Sequence, residues 1–418
     1  MSTANSRVIS LPYGARCRFS CEIDAGRIVD ARPAPGPTPR FAEELDEALN
    51  RPLDFPPLEQ AVISDDRVTV ALDRGTPEAA ALIAGVWSAL ARRGVAPENL
   101  TVIHPAAAGR DTPDDPRSSL PATVREAVRW KVHDPAAGGK SCRYLAATAA
   151  GERIYLASEI VDADVVLSVG PIGYDPVLGH HGTNSVFYPG LSSAETLARS
   201  RGQGQQELEP EDDRLLRQTV DEIGWLLGTQ FTLQVIASSG GGAAHVLGGA
   251  VDSVFRRGKE VLAREWLVEL DRRADLVVVA VDHDSAGHGW EQIGAAVSTA
   301  RSLVARGGRI VVLSELDAEP QAGLKFLREC ERPLEALKPL RLESPPDLIA
   351  ATQVAQALDW ADVYLLSRLS DELAEDLFFI PVASEREVAR VLSNGQSDGT
   401  CLFLASAQHT WGRIRERG

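Results

Sequence analysis

The sequence has no apolar run near the ~20 residues that a membrane-spanning helix needs, and Met1 to Ser10 holds no long apolar segment of the kind that heads a secretory signal. Both absences point to a cytoplasmic chain and away from a membrane. Cysteine is scarce: five residues, Cys17, Cys21, Cys142, Cys330 and Cys401. Only Cys17 and Cys21 are close, and no second pair stands at zinc-ribbon distance. Reduced thiols are therefore expected, and no structural metal. No Walker loop, Gly-x-Ser-x-Gly elbow or Gly-x-Gly-x-x-Gly fingerprint stands in the strand–turn–helix context it requires. Excess positive charge is missing as well. With 43 Lys and Arg against 59 Asp and Glu, the formal net charge is −16. Such a chain repels nucleic acid and anionic membranes. A small anionic molecule or a nucleotide held at a local nest or helix N-terminus stays compatible with that charge.

The composition is that of an ordinary globular protein, 44% hydrophobic and 24% charged, over 418 residues. At roughly 100–200 residues per domain that allows two or three domains. Residues 1–60 read as short strands and loops, with Tyr13-Gly14 turning the chain and a Pro-rich stretch before a helix at Phe41 to Leu49. A βα alternation comes next. Arg67 to Leu72 is a compact apolar strand. Asp73 to Thr76 is a loop, and Pro77 suits the first turn of a helix running about Glu78 to Arg93. Leu100 to His104 and Asp164 to Val169 are further strands. A second series starts near Ala274, with a strand to Val281, a helix from Gly289 to Arg306 closed by Gly307-Gly308, and strands at 309–313, 362–366 and 401–405. Strands alternating with helices imply parallel sheets covered on both faces. The fold expected is α/β, two α/β domains with a ligand cleft between them, divided near residue 272 into 1–272 and 273–418.

The segment Gly170 to Gly190, rich in Gly, His and Pro, comes directly after a strand, and the carboxyl ends of strands in open α/β sheets are where ligands bind. It carries Asp175, His180 and His181, with Asp73 a possible partner. Two imidazoles and two carboxylates are suited to acid–base work near neutral pH, or to a divalent metal. Adjacent histidines point to different sides of a strand, so both seldom ligate one ion. Asp282-His-Asp-Ser-Ala-Gly-His288 comes after the first strand of the second series and is either a cleft-facing loop or an exposed turn. Ser238 to Ala243 has the glycines of a phosphate-binding nest.

Several of these landmarks, in this order, resemble the lactate racemase family. Leu11-Pro-Tyr-Gly14 is similar to that family's opening strand, and Asp73-Arg-Gly-Thr-Pro77 to its Asp-x-x-Arg-Pro loop. Gly170 to Gly190 is similar to its central Gly- and Pro-framed segment, and Ser192 to Thr196 to the short stretch just after that segment. His245 to Gly258 is similar to its Val-x-x-Gly…Ala-x-x-x-Gly passage. The resemblance implies two α/β domains enclosing a nickel pincer nucleotide. A lysine tethers that group, one histidine ligates the nickel, and two more exchange the proton of a 2-hydroxy acid whose hydride the group takes.

Carried over position by position, those roles are mostly lost. The lysine falls on Ser185, the nickel histidine near Arg201, one proton-transfer histidine on Asp175 and the other on Gly109 before Arg110. The phosphate-binding arginine falls on Thr76, beside Arg74, and the second-domain lysine falls near Ala286. Asp73 is retained. The residues expected at the site are therefore Asp175, His180 and His181 for chemistry, and Asp73, Arg74, Thr76, Arg110 and Ser185 for a cofactor or ligand, with no metal and no covalent nickel-pincer attachment. Two functions remain: a racemase or epimerase relative with altered or lost 2-hydroxy-acid chemistry, or a non-catalytic paralogue that binds a ligand or a partner. That partner would be a second copy or an intact racemase.

Overall fold

The computed structural model describes residues 6–106, 113–202, 208–393 and 399–415. It divides into two compact units, Gly36–Ala263 on the one hand and Met1–Pro35 with Arg264–Gly418 on the other. The division differs from the boundary near residue 272 chiefly at the start of the chain, because residues 6–35 fold with the C-terminal segment.

In the Gly36–Ala263 unit, a sheet runs in the order Ala243–Ala250, Phe231–Ala237, Val165–Asp175, Val68–Leu72, Leu100–His104, Arg129–Val132. Its inner strands pair in parallel, and Ala243–Ala250 closes one edge antiparallel. The short strand Gly179–His181 folds back antiparallel on the far end of Val165–Asp175. Every residue of Val68–Leu72 is buried, as a strand covered on both faces requires. Its alternate residues Val68, Val70 and Leu72 join one core, together with Leu82, Ile83, Val86 and Leu90 of the helix Ala79–Arg92. Ala71 joins the other, with Phe187, Val220 and Ile223. Helix, sheet and helix thus form three layers, set by the two-residue pleat of the strand and the 3.6-residue period of the helix.

The predicted helix start shifts slightly. Glu78 takes a left-handed φ of 56° and caps the helix, so Pro77 lies before the first turn rather than in it. The glycine stretch 238–244 is the tight connection between two antiparallel strands, with Gly240 and Gly241 at positive φ.

The second unit has a six-stranded parallel sheet, ordered Ile380–Val382, Asp362–Leu366, Val304–Leu313, Ala274–Ala280, Cys401–Leu404, Ile28–Asp30. The N-terminal hairpin Ser6–Tyr13 and Cys17–Asp24 turns at Gly14, whose φ is 58°. The helix Trp290–Leu303 ends earlier than expected. Gly307-Gly308 lies inside the strand Val304–Leu313 and does not close the helix. Among the described residues no helix is long and apolar enough to cross a membrane.

Candidate functional site

In the Gly36–Ala263 sheet the chain runs outward one way from Val68–Leu72 to Leu100–His104, and later returns on the other side with Val165–Asp175. The order reverses between Val68–Leu72 and Val165–Asp175, and a crevice at such a reversal, at the carboxyl ends of the strands, is the usual ligand position. Asp73 stands there. Its amide donates to Val169 O at 2.8 Å, and only a glycine fits opposite, because a Cβ at Gly170 would meet Asp73 Cβ at 2.6 Å.

His181 comes to the same place from the returning strand Gly179–His181, where it pairs with Gly173. Its Nε2 lies 2.5 Å from Asp73 Oδ2. Its Nδ1 lies 3.2 Å from Ser185 Oγ. Ser185 Oγ in turn accepts from the Gly182 amide at 2.8 Å. The three side chains therefore form one line: carboxylate, imidazole, hydroxyl. Asp73 and Ser185 are buried, and the His181 side chain keeps 28% of its exposure. Burial alone would raise the Asp73 pKa, but the facing imidazole outweighs it and holds the carboxyl below the ordinary range. Burial would likewise depress His181, and the Asp73 carboxylate reverses this, so its pKa is raised. In the neutral ring, Nε2–H donates to Asp73 and Nδ1 accepts from the serine. In the imidazolium, Nδ1–H donates to Ser185 Oγ.

The turn that carries Ser185 is built at a conformational cost. Gly182 has φ 125°, and a Cβ there would meet Ile172 Cγ1 at 2.7 Å. Thr183, a β-branched residue, has φ 53°. Such a conformation costs on the order of 1–3 kcal/mol and persists only when neighbours over-determine it. Here they do. The Thr183 amide donates to Gln234 Oε1 at 3.0 Å, and Gln234 Nε2 donates to Thr232 Oγ1 at 2.7 Å, all inside the sheet. Arg217 Nη1 donates to the His180 and Gly182 carbonyls at 3.4 Å.

The other expected residues do not join the line. Asp175 Oδ1 accepts from the Val177 and Leu178 amides, both at 2.7 Å, and so shapes the turn before His180. His180 points to the opposite side of its strand from His181. It packs against Tyr174 and Phe255, with ring centroids at 5.5 and 6.3 Å. Burial, with the charges of Lys259 and Arg217 adding to it, pushes its pKa down to about 4. Thr76 Oγ1 donates to the Asp73 carbonyl at 2.7 Å and so closes the loop. Arg74 is exposed, and its amide donates to Asp73 Oδ1 at 2.7 Å. Gly109 and Arg110 lie outside the described residues. His104, two residues on from Val102, takes the face opposite to Ala71, edge-on to Trp130 with centroids 6.3 Å apart. Burial lowers its pKa to about 4 against the pull of Asp73.

In the second unit, Asp282 and Asp284 are buried rather than exposed on a turn, and His288 bridges the Asp282 carbonyl at 3.2 Å and the Glu315 amide at 3.0 Å. Among the described residues no three His, Cys, Asp or Glu side chains converge as a metal-ligand set. A cleft of about 420 Å³ at the Arg129–Val132 edge, lined by Arg117, Trp130, Lys131 and Glu159 among others, shares no residue with the Asp73 line.

From the sequence, Ser185 is expected only as the replacement of a lysine and Gly170 only as the start of its segment, and nothing there points to Gln234 or Arg217. The four-residue step from His181 to Ser185, entering a helical turn, was the available signal.

The structure thus defines a protein of two α/β units, one of which carries a polar line at its strand-order reversal. Residues 13–205 match the family model described as the lactate racemase N-terminal domain. The lactate racemase apoprotein from Thermoanaerobacterium thermosaccharolyticum has a similar structure, with a TM-score of 0.79 at 16% sequence identity, covering 98% of this chain and 100% of that one. A protein from Thermotoga maritima is similar at a TM-score of 0.66 and 13% identity, covering 89% of this chain and 98% of that one. No curated protein matches the chain in sequence. The chain thus shares the fold of the lactate racemase apoprotein, and residues 13–205 resemble the N-terminal domain of that family.

Proposed function

We propose that this protein is a lactate racemase relative whose chemistry on small 2-hydroxy acids is altered or lost, and whose working group is the Asp73–His181–Ser185 line in place of a tethered nickel cofactor. One observation carries this reading: the side chain at residue 185 is a hydroxyl, hydrogen-bonded to His181 Nδ1 and to the Gly182 amide. A hydroxyl has no amine with which to form the amide-type link that the family's lysine provides. The chain has five lysines, Lys131, Lys140, Lys259, Lys325 and Lys338, and none falls between residues 165 and 190. The residues present do not fit a lysine-tethered pincer nucleotide at this position, and no step runs through one.

What the line offers is proton transfer. Both ring nitrogens of His181 are engaged by the protein, so a bound molecule meets the proton through the Ser185 hydroxyl, with His181 as the reservoir and Asp73 as its counter-charge. An isomerase-type activity on a small hydroxy acid would use that hydroxyl to give or take a proton. The test is to incubate the purified chain with the nickel pincer nucleotide, then measure bound nickel and intact mass. An unchanged mass is expected. A nickel-bearing mass increment, or nickel-dependent inversion of lactate by the pure protein, would overturn the proposal.

The same geometry also favours the non-catalytic reading, in which the chain binds a ligand or partner without turning it over. With His181 occupied at both nitrogens and Ser185 buried, the line is self-satisfied. Thermal stabilisation by 2-hydroxy acids without their conversion, or capture of an intact racemase from the native host, supports that reading. Conversion of a hydroxy acid removes it.

A further inference from the structure

A hydroxyl that donates to an imidazole whose far nitrogen is held by a buried carboxylate is the arrangement that activates a nucleophile by general base. We propose that Ser185 is an acyl-accepting nucleophile, and that the site turns over small activated acyl compounds, esters or thioesters of short carboxylic acids, through an acyl-serine. The proposal goes beyond racemase-type proton transfer and shares with it only the Asp73–His181–Ser185 geometry.

Three features of the line support it. First, the Asp73 carboxylate at 2.5 Å fixes the proton on His181 Nε2 and leaves Nδ1 as the basic nitrogen, facing Ser185 Oγ at 3.2 Å. The two ring nitrogens exchange their usual places, which leaves the chemistry unchanged because either can act as the base. Second, Ser185 Oγ uses its hydrogen toward Nδ1 and one lone pair toward the Gly182 amide at 2.8 Å. Its other lone pair takes no hydrogen bond from the described residues and can attack carbon. The Gly182 N–H also stabilises negative charge on Oγ as the proton leaves. Third, Gly182 and Thr183 hold the turn at positive φ, braced by Gln234, so the hydroxyl is fixed in place before any substrate arrives. Ser185 is only 3% exposed, while the His181 side chain beside it is 28% exposed. A substrate reaching Ser185 would have to come in beside the imidazole, which restricts the proposal to small acyl groups.

The step balances without an oxidant or reductant. Ser185 Oγ bonds to the carbonyl carbon as its proton passes to His181 Nδ1. The tetrahedral adduct then collapses, the bond to the leaving alcohol or thiol breaks, and that group departs with the proton from Nδ1. Water next attacks the acyl carbon while giving a proton to Nδ1. Ser185 Oγ leaves and recovers a proton from His181, releasing the carboxylic acid.

The full-length chain is treated with p-nitrophenyl acetate, nitrophenol release is followed, and the acetylated residue is located by peptide mass mapping. Expected are acetylation of Ser185, loss of that adduct in Ser185→Ala, and acylation slowed roughly a hundredfold or more in Asp73→Asn, which disturbs the tautomer. Ser185→Cys, which keeps a nucleophile of similar size, should still accept the acyl group as a thioester. In the wild type the acylation rate should rise with pH through the titration of His181, a readout that needs no variant. Absence of acetylation at Ser185 in folded wild-type protein overturns the proposal, and so does an adduct there whose rate is indifferent to both Asp73→Asn and pH. Either failure is separate from the nickel and intact-mass test, which examines the tether alone.

Discussion

The two sheets place similar residues at corresponding corners and use them differently. Each sheet reverses its strand order between two central parallel strands, Val68–Leu72 and Val165–Asp175 in one unit, Ala274–Ala280 and Cys401–Leu404 in the other. Each corner gathers buried carboxylate, imidazole and hydroxyl groups. In the second unit, Asp282 accepts from Ser406 Oγ at 3.0 Å and Gln408 Nε2 at 2.7 Å. Asp284 accepts from Gln408 at 3.0 Å, from His409 at 2.8 Å and from the Ala286 amide at 2.8 Å. Burial would raise the Asp284 pKa, and His409 with these donors lowers it instead. The bonds from Ser406, Gln408 and His409 tie the loop after one strand to the turn after the other, which makes the network a latch. In the Asp73 corner the bonds run in a line and end on a hydroxyl. The same residue types thus give a structural clasp where donors converge on carboxylates, and, in the function proposed above, a proton path where they are strung in series.

The largest expected difference between the corners is their response to acid. His104 and His180, both in the Gly36–Ala263 unit, have pKa values pushed down to about 4. Their unfolded value is about 6.5. A depressed histidine is neutral in the fold and takes a proton on unfolding, so stability falls as pH drops from about 6.5 to 4, by about 3 kcal/mol for each residue. The Asp73–His181 pair acts in the opposite sense over part of the range. A raised His181 contributes fully below about 6.5 and fades as pH rises through its folded value, while a depressed Asp73 contributes above about 3.9 and fades as pH falls through its own. Hydrogen exchange monitored from pH 7 to pH 4 should show protection lost first in the Gly36–Ala263 unit. Equal loss in both units would break the comparison. His104→Phe, which keeps an aromatic against Trp130, should flatten the acid limb.

Next in size are the carboxylates. Asp73→Ala leaves a largely buried imidazole without its counter-charge and should cost about 3 kcal/mol, the low end for breaking a buried pair because His181 keeps some solvent contact. Asp284→Ala should cost about 2 kcal/mol, since Gln408 retains its bonds to Asp282. Denaturant unfolding of each variant measures both, and a cost at Asp284 above that at Asp73 would invert their assigned roles. Gly170→Ala, which drives a methyl into Asp73 Cβ, should cost about 2 kcal/mol and disturb the line without removing any of its groups.

Much of this was legible in the residues. The Val-rich runs announced parallel strands, and the βα alternation announced the layers, because burial on both faces demands uninterrupted apolar sequence. Gly307-Gly308 misled because apolar residues on its N-terminal side continue the helical spacing, and only pairing with Ala274–Ala280 makes 304–313 a strand. The sequence places Asp175 beside His180 and His181 and offers Asp73 as a possible partner, without saying which carboxylate meets which ring. An Asp two and three residues before free amides is a turn-former, however, and that is what it does. Asp73, 108 residues away, is the carboxylate that meets His181, and the pairing of Val68–Leu72 with Val165–Asp175 brings it there. Periodicity reports which face a residue takes, not which distant strand lies beside it.

The smallest expected effect is the most discriminating. Ser185→Ala and Ser406→Ala each remove one buried hydroxyl that donates to a partner across its corner, and each should cost only about 1 kcal/mol. By stability alone the two corners would look alike. Their difference lies in what the hydroxyl is bonded to. Ser406 donates to Asp282, whose carboxylate keeps Gln408 when the serine is gone. Ser185 is the partner of His181 Nδ1 among the described residues, so its loss strips that nitrogen while Asp73 still holds Nε2. Nitrogen-resolved NMR of the histidines should therefore show Ser185→Ala changing the tautomer balance and titration of His181, with His409 unaffected, and Ser406→Ala leaving His181 as it is. A His181 ring indifferent to Ser185→Ala would mean that the line does not conduct a proton, and the distinction between clasp and path would fall with it.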